Sequence, residues 1–477
     1  MPSDGHGTAS SDVGSGAQRR VVEAQSAELR KELGLVDLTL TQVLFIVGLP
    51  WVGVAAKQGP AHVVLWLAAI VFFYLPSAAV VIHLNRAMPL EGGLYQWAKL
   101  GFNELAGFLV AWNLWLFAIL NTSEIGLQLT QYIRYIVGPR GEWVTGSPWF
   151  VTATNVVVTV ALVLVTVRGL SAGKWLHKTG GALMLTTFAM LLALPWLNLA
   201  HGSLGAFHPL QTATPVMSLL TLNIAAKMGF GALGGFEYVA IHAGECRNPA
   251  RTIARSVALA SPIIAVMFIL GTSSVLALVP IDRIDLIAPI PQVLSEGFGA
   301  LGPAAAVAPT TIIALLCIRI AQSSVLFAGN TRLPMVAGWD GLLPAWFTRL
   351  HERYRTPANS ILFVGAITLA FSISGQIGVG KQEAFQLLWN ASGIFYGLTY
   401  LVMFAIPIAG ARSLRPPLWF VLASASGFLT TLLYVVLSII PIVQVESRLT
   451  FALKISAVVI IANAVGVAIY QTRTPAR

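Results

Sequence analysis

Charge is what this chain has least of. Of its 477 residues, 10% are Asp, Glu, Lys or Arg and 56% are hydrophobic, with a mean hydropathy of +0.77. A soluble domain carries about 25% charged and about 45–50% apolar residues. Soluble enzymes, disordered chains and disulfide scaffolds are thereby excluded. Cysteine is almost absent: Cys246 and Cys317 cannot make a disulfide framework, and neither sits in a metal-ligand spacing. The eight histidines include no HExxH and no cluster of ligands, so a zinc-dependent membrane enzyme has no support. His242 and Glu245 stand three apart near the inner end of a helix, where capping is the expected use. No filter motif or continuous polar pore marks a channel. Basic residues outnumber acidic ones, 29 to 19, yet they are dispersed and offer no patch to a nucleic acid. No cofactor or resident metal is expected.

What the chain does have is apolar length. A membrane span needs about 20 mostly apolar residues. Twelve stretches qualify: 38–58, 61–85, 103–135, 149–167, 176–198, 217–243, 253–280, 303–330, 359–379, 383–409, 415–444 and 450–471. The expected fold is an all-α integral membrane protein with 12 transmembrane helices. Residues 1–35 are polar, lack an apolar core and read as a cytosolic tail, not a signal peptide. With the N-terminus inside, 20 of the 29 Lys and Arg fall in cytoplasmic segments and seven outside, while Lys227 and Arg319 lie within spans. That bias predicts a multi-pass protein of the cell membrane with both termini cytoplasmic.

Two spans carry breaks in matching places. The first contains Gly48-Leu49-Pro50-Trp51-Val52-Gly53 and the sixth contains Gly229-Phe230-Gly231-Ala232-Leu233-Gly234-Gly235. Unpaired backbone in lipid costs several kcal/mol and is tolerated where it lines a polar cavity. The breaks are five spans apart, and paired interruptions at corresponding positions point to a transporter site between inverted repeats. The competing reading is close helix packing at small residues.

Several motifs then resemble the amino acid–polyamine–organocation (APC) transporters over residues 35–415. They are MPLEGGLYQWAKLGFNELAGFLVAWNLW (88–115), FEYVAIHAGECRNPARTI (236–253), TRLPMVAGWDGLLPAWF (331–347) and Arg355-Thr356-Pro357. The resemblance implies a LeuT-like 5+5 inverted repeat plus two accessory helices, working by alternating access. On this scheme residues 36–200 and 201–410 form the two five-helix repeats. Residues 411–477 hold helices 11 and 12 and a short cytosolic C-terminus. The implied partners are the lipid bilayer and a small-molecule substrate. Neutral amino acids, cationic amino acids and polyamines or other organic cations all fit, by symport or by exchange.

In such transporters the first break presents backbone N–H groups to a substrate carboxylate. Here Pro50 has no N–H, so Gly48 and the amides of Trp51, Val52 and Gly53 are the candidates. In the sixth span Phe230 is a wall, a gate or simple core filler. Gly231 stands where some members place an aromatic gate, which predicts extra room, and Gly234 offers bare backbone. Four charges lie in the membrane interior: Glu124, Lys227, Glu237 and Arg319. They allow mutual neutralisation or direct roles in coupling and gating, and Glu237 matches a family position linked to proton-dependent gating. Asn121, Glu124, Gln128 and Gln131 share one helical face, either facing a wet interior or bonding to neighbouring helices. Ser323 and Ser324, with carbonyls near Val47 and Gly48, resemble the sodium position of the LeuT fold; adjacent serines also bond back to their own helix. The fifth-span stretch Gly180–Met184 lacks the lysine that several members place there. Sodium, a proton on Glu237, or exchange without either remain open.

Overall fold

The computed structural model describes residues 31–472 except 32, 340, 375–380, 410–415, 443–444 and 446. Most of the tail expected over residues 1–35, and the boundary expected at 410, lie outside the described residues. Inside a bilayer each backbone N–H and C=O needs a partner within the chain, and a helix supplies it locally. Among the described residues there is accordingly no β-strand, only an isolated bridge between Leu33 and Cys246.

Among the described residues ten helices are long and apolar enough to cross a membrane, and a bent pair would make eleven. The pair is α1 (Leu35–Ile46) and α2 (Leu49–Ala56), turned by 45°. Pro50 sits at the second position of α2. It cannot donate to the carbonyl four residues back and its ring clashes with that carbonyl, so α1 stops at Ile46. The long helices are α3 (Gly59–Ala87), α4 (Glu104–Ser123) continuing into α5 (Ile125–Val137), α6 (Pro148–Arg168) and α7 (Leu170–His201). After α8 (Leu219–Ala226) come a π-turn at Lys227–Gly231 and a 3-10 segment at Phe236–Glu245. Then follow α9 (Pro249–Leu278), α10 (Pro289–Gly299), α11 (Val307–Asn330), α12 (Ala358–Ser374), α13 (Lys381–Ala409), α14 (Leu418–Leu437) and α15 (Arg448–Thr472). Within the described residues each of the twelve apolar stretches overlaps a helix; α12 supplies the shorter apolar segment, Ala358–Ile373.

Three packings position the site. Helix α1 lies between α9 and α7, α7 runs along α11, and α13 is sandwiched between α4 and α14. The outer surface is apolar: Leu67, Val71, Phe72 and Leu75 of α3 and Leu453, Ile460 and Ile461 of α15 are exposed. Such faces suit lipid, and exposed Trp143, Trp149 and Trp419 at helix ends suit its interfaces.

Candidate functional site

The two breaks meet. Gly235 has φ +143°, a region closed to most side chains, and a Cβ there would lie 2.6 Å from Ile46 and 2.8 Å from Phe45. Glycine is thus required both for the backbone turn and for the approach of the sixth-span break to the end of α1. Its N–H donates to Tyr400 Oη at 2.7 Å. Beside this crossing a cavity encloses about 90 Å³ for the centres of water-sized solutes, several times the roughly 10–15 Å³ one water centre needs. Gly48, Trp51, Asn121, Phe230, Gly231, Gly234 and Arg319 line it. Val52 and Gly53 do not. Both lie inside α2, and a Cβ on Gly53 would strike Pro289 of α10 at 2.7 Å. The Trp51 N–H is taken by Gly48 O at 3.1 Å, which leaves Leu49 N–H as the break amide without a backbone acceptor among the described residues.

Aromatic side chains wall the cavity. Phe117 stacks on Tyr396 at 4.2 Å, and Phe230 packs among Phe73, Tyr396, Tyr400 and Tyr434 with centroids 4.7–5.6 Å apart. The extra room expected at Gly231 is filled. A Cβ there would lie 2.7 Å from Trp51 Cη2 and 3.1 Å from Tyr434 Cε2. The indole of α2 thus occupies the space that a side chain on the sixth span would need. Tyr434 reaches in from α14, over Gly393, whose Cβ would sit on its hydroxyl.

Of the four interior charges only two pair with each other. Arg319 Nη2 meets Glu124 Oε1 at 2.7 Å, its Nε donates to Gln128, and Nη2 lies 3.5 Å from Asn121 Oδ1. Glu124 Oε2 and Gln128 Nε2 are buried without a protein partner among the described residues. Lys227 has neutral company: Asn390 Oδ1 at 3.3 Å, Ser438 Oγ at 3.5 Å and the Tyr434 ring at 5.5 Å. Glu237 accepts hydrogen bonds from the hydroxyls of Tyr396 and Tyr400. The polar face of the third span divides. Asn121 and Gln128 line the cavity, whereas Gln131 donates to Asp285 at 2.7 Å; about two turns earlier in α4, Asn113 donates to Asn463 of α15 at 2.8 Å.

The oxygens expected for sodium have other partners. Val47 O accepts from Gln322 Nε2, Ser323 Oγ accepts from Arg319 Nη1 at 3.3 Å, and Ser324 Oγ faces His177 Nε2 at 3.4 Å. Among the described residues no group of three or more His, Cys, Asp or Glu could hold a metal.

A second cluster of buried charges was visible in the sequence only as motif residues. Arg332 lies between Glu245, which it contacts directly, and Glu91 at 3.7 Å; Glu91 accepts the Gly244 N–H at 2.6 Å. One guanidinium serves two carboxylates. Burial, with the charge of Glu245 added, pushes the carboxyl of Glu91, on the loop outside the spans, up to about 8.

Broken helices meeting at a buried polar cavity, inside a bundle with an apolar exterior, define a solute-carrying membrane protein. A family model described as "Amino acid permease" matches residues 33–463, and the chain belongs to that family. It is 23% identical over 384 residues to an uncharacterized transporter of Legionella pneumophila, covering 80% of this chain and 81% of the relative. Two Bacillus subtilis proteins are also similar. The methylthioribose transporter is 21% identical, covering 75% of this chain and 77% of its own. The branched-chain amino acid permease BcaP is 20% identical, covering 77% and 82%. The protein is thus a multi-pass membrane transporter.

Proposed function

We propose that the chain is a secondary active transporter of amino acids with uncharged side chains, moving them across the cell membrane by alternating access, in symport or exchange. The observation that carries this reading is the cavity at the crossing of the two helix breaks. It has an aromatic wall, a guanidinium neutralised by Glu124, and the partnerless Gln128 Nε2 at its edge. The substrate carboxylate is assigned to the Leu49 N–H and the start of α2, where the helix dipole favours negative charge. Asn121, Gln128 and the backbone near Gly234 receive its polar groups; Trp51 and Phe230 cover it. Polyamines and other organic cations would require an unneutralised carboxylate facing the cavity. Among the described residues no Asp or Glu lines it, Glu124 is committed to Arg319, and Glu237 is held by two tyrosines.

The same reading takes the helices as twelve spans in a 5+5 inverted repeat with two accessory helices, both termini cytoplasmic. Glu237 and Lys227, flanking the sixth-span break, are the gating or coupling groups, and Arg319 with Glu124 anchors the cavity floor. The test is uptake and exchange in proteoliposomes with a radiolabelled panel of neutral and cationic amino acids, a polyamine and methylthioribose, with and without ion gradients. Saturable transport of neutral amino acids is expected. Saturable transport of the polyamine or the thiosugar alone would refute the substrate class, and none at all would refute the transporter reading.

A further inference from the structure

We propose that the side-chain amide of Gln322 holds the first-span break in the place a cation would take, so that the transporter works without sodium at this position. Helix α1 ends in mid-membrane, and the last carbonyls of a helix have no donors of their own. Val43 O receives the Val47 N–H at 3.1 Å and Ile46 O receives the Gly48 N–H at 2.7 Å. Gln322 of α11 supplies two more donors, its Nε2 lying 2.8 Å from Leu44 O and 2.8 Å from Val47 O. Both partners are acceptors only, so the amide must present its NH2 and not its oxygen to them. The two protons are thereby used in full.

A sodium ion there would need these same oxygens. It would have to expel the amide, leave two N–H groups facing a cation, and sit beside the Ser323 hydroxyl that already accepts from the Arg319 guanidinium at 3.3 Å. The donor set does not fit a cation. It fits a neutral clip that spans the break at no cost in net charge. Since Gln322 also lines the cavity, a substrate in the site touches the group that ties α1 to α11. Gln322 is therefore a positioning residue, and separating α1 from α11 during transport requires its two hydrogen bonds to open.

The proposal rests on the transporter reading for its role in the cycle, but its chemistry can be tested without a substrate. The purified full-length protein is melted in detergent while NaCl replaces N-methylglucamine chloride at constant ionic strength. A ligand that binds the folded state raises the transition saturably. The wild type is expected to show no sodium-dependent rise. Gln322→Met keeps the length and loses both protons, so its melting temperature should fall; Gln322→Lys, whose ammonium can donate to both carbonyls, should melt above the Met variant. In proteoliposomes, with the amino acid the panel identifies, uptake should be sodium-independent in the wild type. It should drop at least about tenfold in Gln322→Met, the loss expected if about 1.4 kcal/mol of the clip is removed, and less in Gln322→Lys. A saturable sodium shift in the wild type overturns the proposal, as does equal behaviour of the Met and Lys variants. If no panel member is transported while the melting results hold, the transporter reading fails and the clip stands.

Discussion

Gly231→Ala tests the placement of the cavity wall most directly. The added methyl would lie 2.7 Å from Trp51 Cη2, 3.0 Å from Cζ2 and 3.1 Å from Tyr434 Cε2, where carbon atoms prefer about 3.5–4.0 Å. The indole must retreat by about 1 Å to restore that spacing. Its retreat is hindered on two sides: its other edge already lies on Gly48, whose Cβ would be 2.6 Å from Cδ1, and Trp389 packs beside it at 5.4 Å. Overpacking of this kind costs about 1–3 kcal/mol, or about 5- to 140-fold in a binding or conformational equilibrium. Trp51→Phe deletes the two indole atoms that clash and leaves only the milder contact with Tyr434. The pair should therefore couple, the double variant recovering about 1 kcal/mol or more relative to the sum of the singles. The assay is a double-mutant cycle on amino acid affinity, read from ligand-induced melting shifts, with monodisperse yield as the folding control. A cycle additive to within about 0.5 kcal/mol would show that the indole does not occupy the space over Gly231.

Three further outcomes follow from the charges. Glu124→Gln strands the buried Arg319 guanidinium and should cost about 3–5 kcal/mol, lowering folded yield. The apolar pair Glu124→Leu with Arg319→Met should fold better than Glu124→Gln yet not transport, and a poorer yield from the double variant would sink the ion-pair argument. Glu237→Gln keeps the tyrosine contacts and removes the titratable group, so transport should lose its pH dependence at normal expression; an unchanged profile assigns Glu237 to structure. A cysteine at Ser10 should resist impermeant thiol reagents in intact cells in a Cys317→Ser background, and ready labelling would reverse the orientation.

The sequence exposes some of this architecture because a few of its signals are local. Spans are legible since twenty apolar residues have one physical use in a membrane, and the breaks are legible since Pro50 and Gly235 cannot continue a helix as neighbours would. What lies across the cavity is not local. The gap at Gly231 reads as empty until Trp51, on another helix, is seen to fill it. Gln322 stands beside the two serines that attract attention, but its function depends on carbonyls at Leu44 and Val47, more than 270 residues earlier. Val52 and Gly53 share the break motif with Trp51, yet about 100° and 200° of helical rotation carry them to other faces, away from the cavity. Glu91, Glu245 and Arg332 were present as motif letters; only the fold brings three distant segments to one guanidinium.

The reach of Tyr434 bears on how the protein is made. Part of the cavity wall comes from α14, near residue 434 of 477, and helices emerge from the ribosome in order. Until that helix has been inserted, the nascent bundle holds both breaks and the Arg319–Glu124 pair without the Tyr434 ring that covers Gly393 and lies beside Gly231. The wall of this cavity is therefore completed late in synthesis, by a helix outside both proposed repeats.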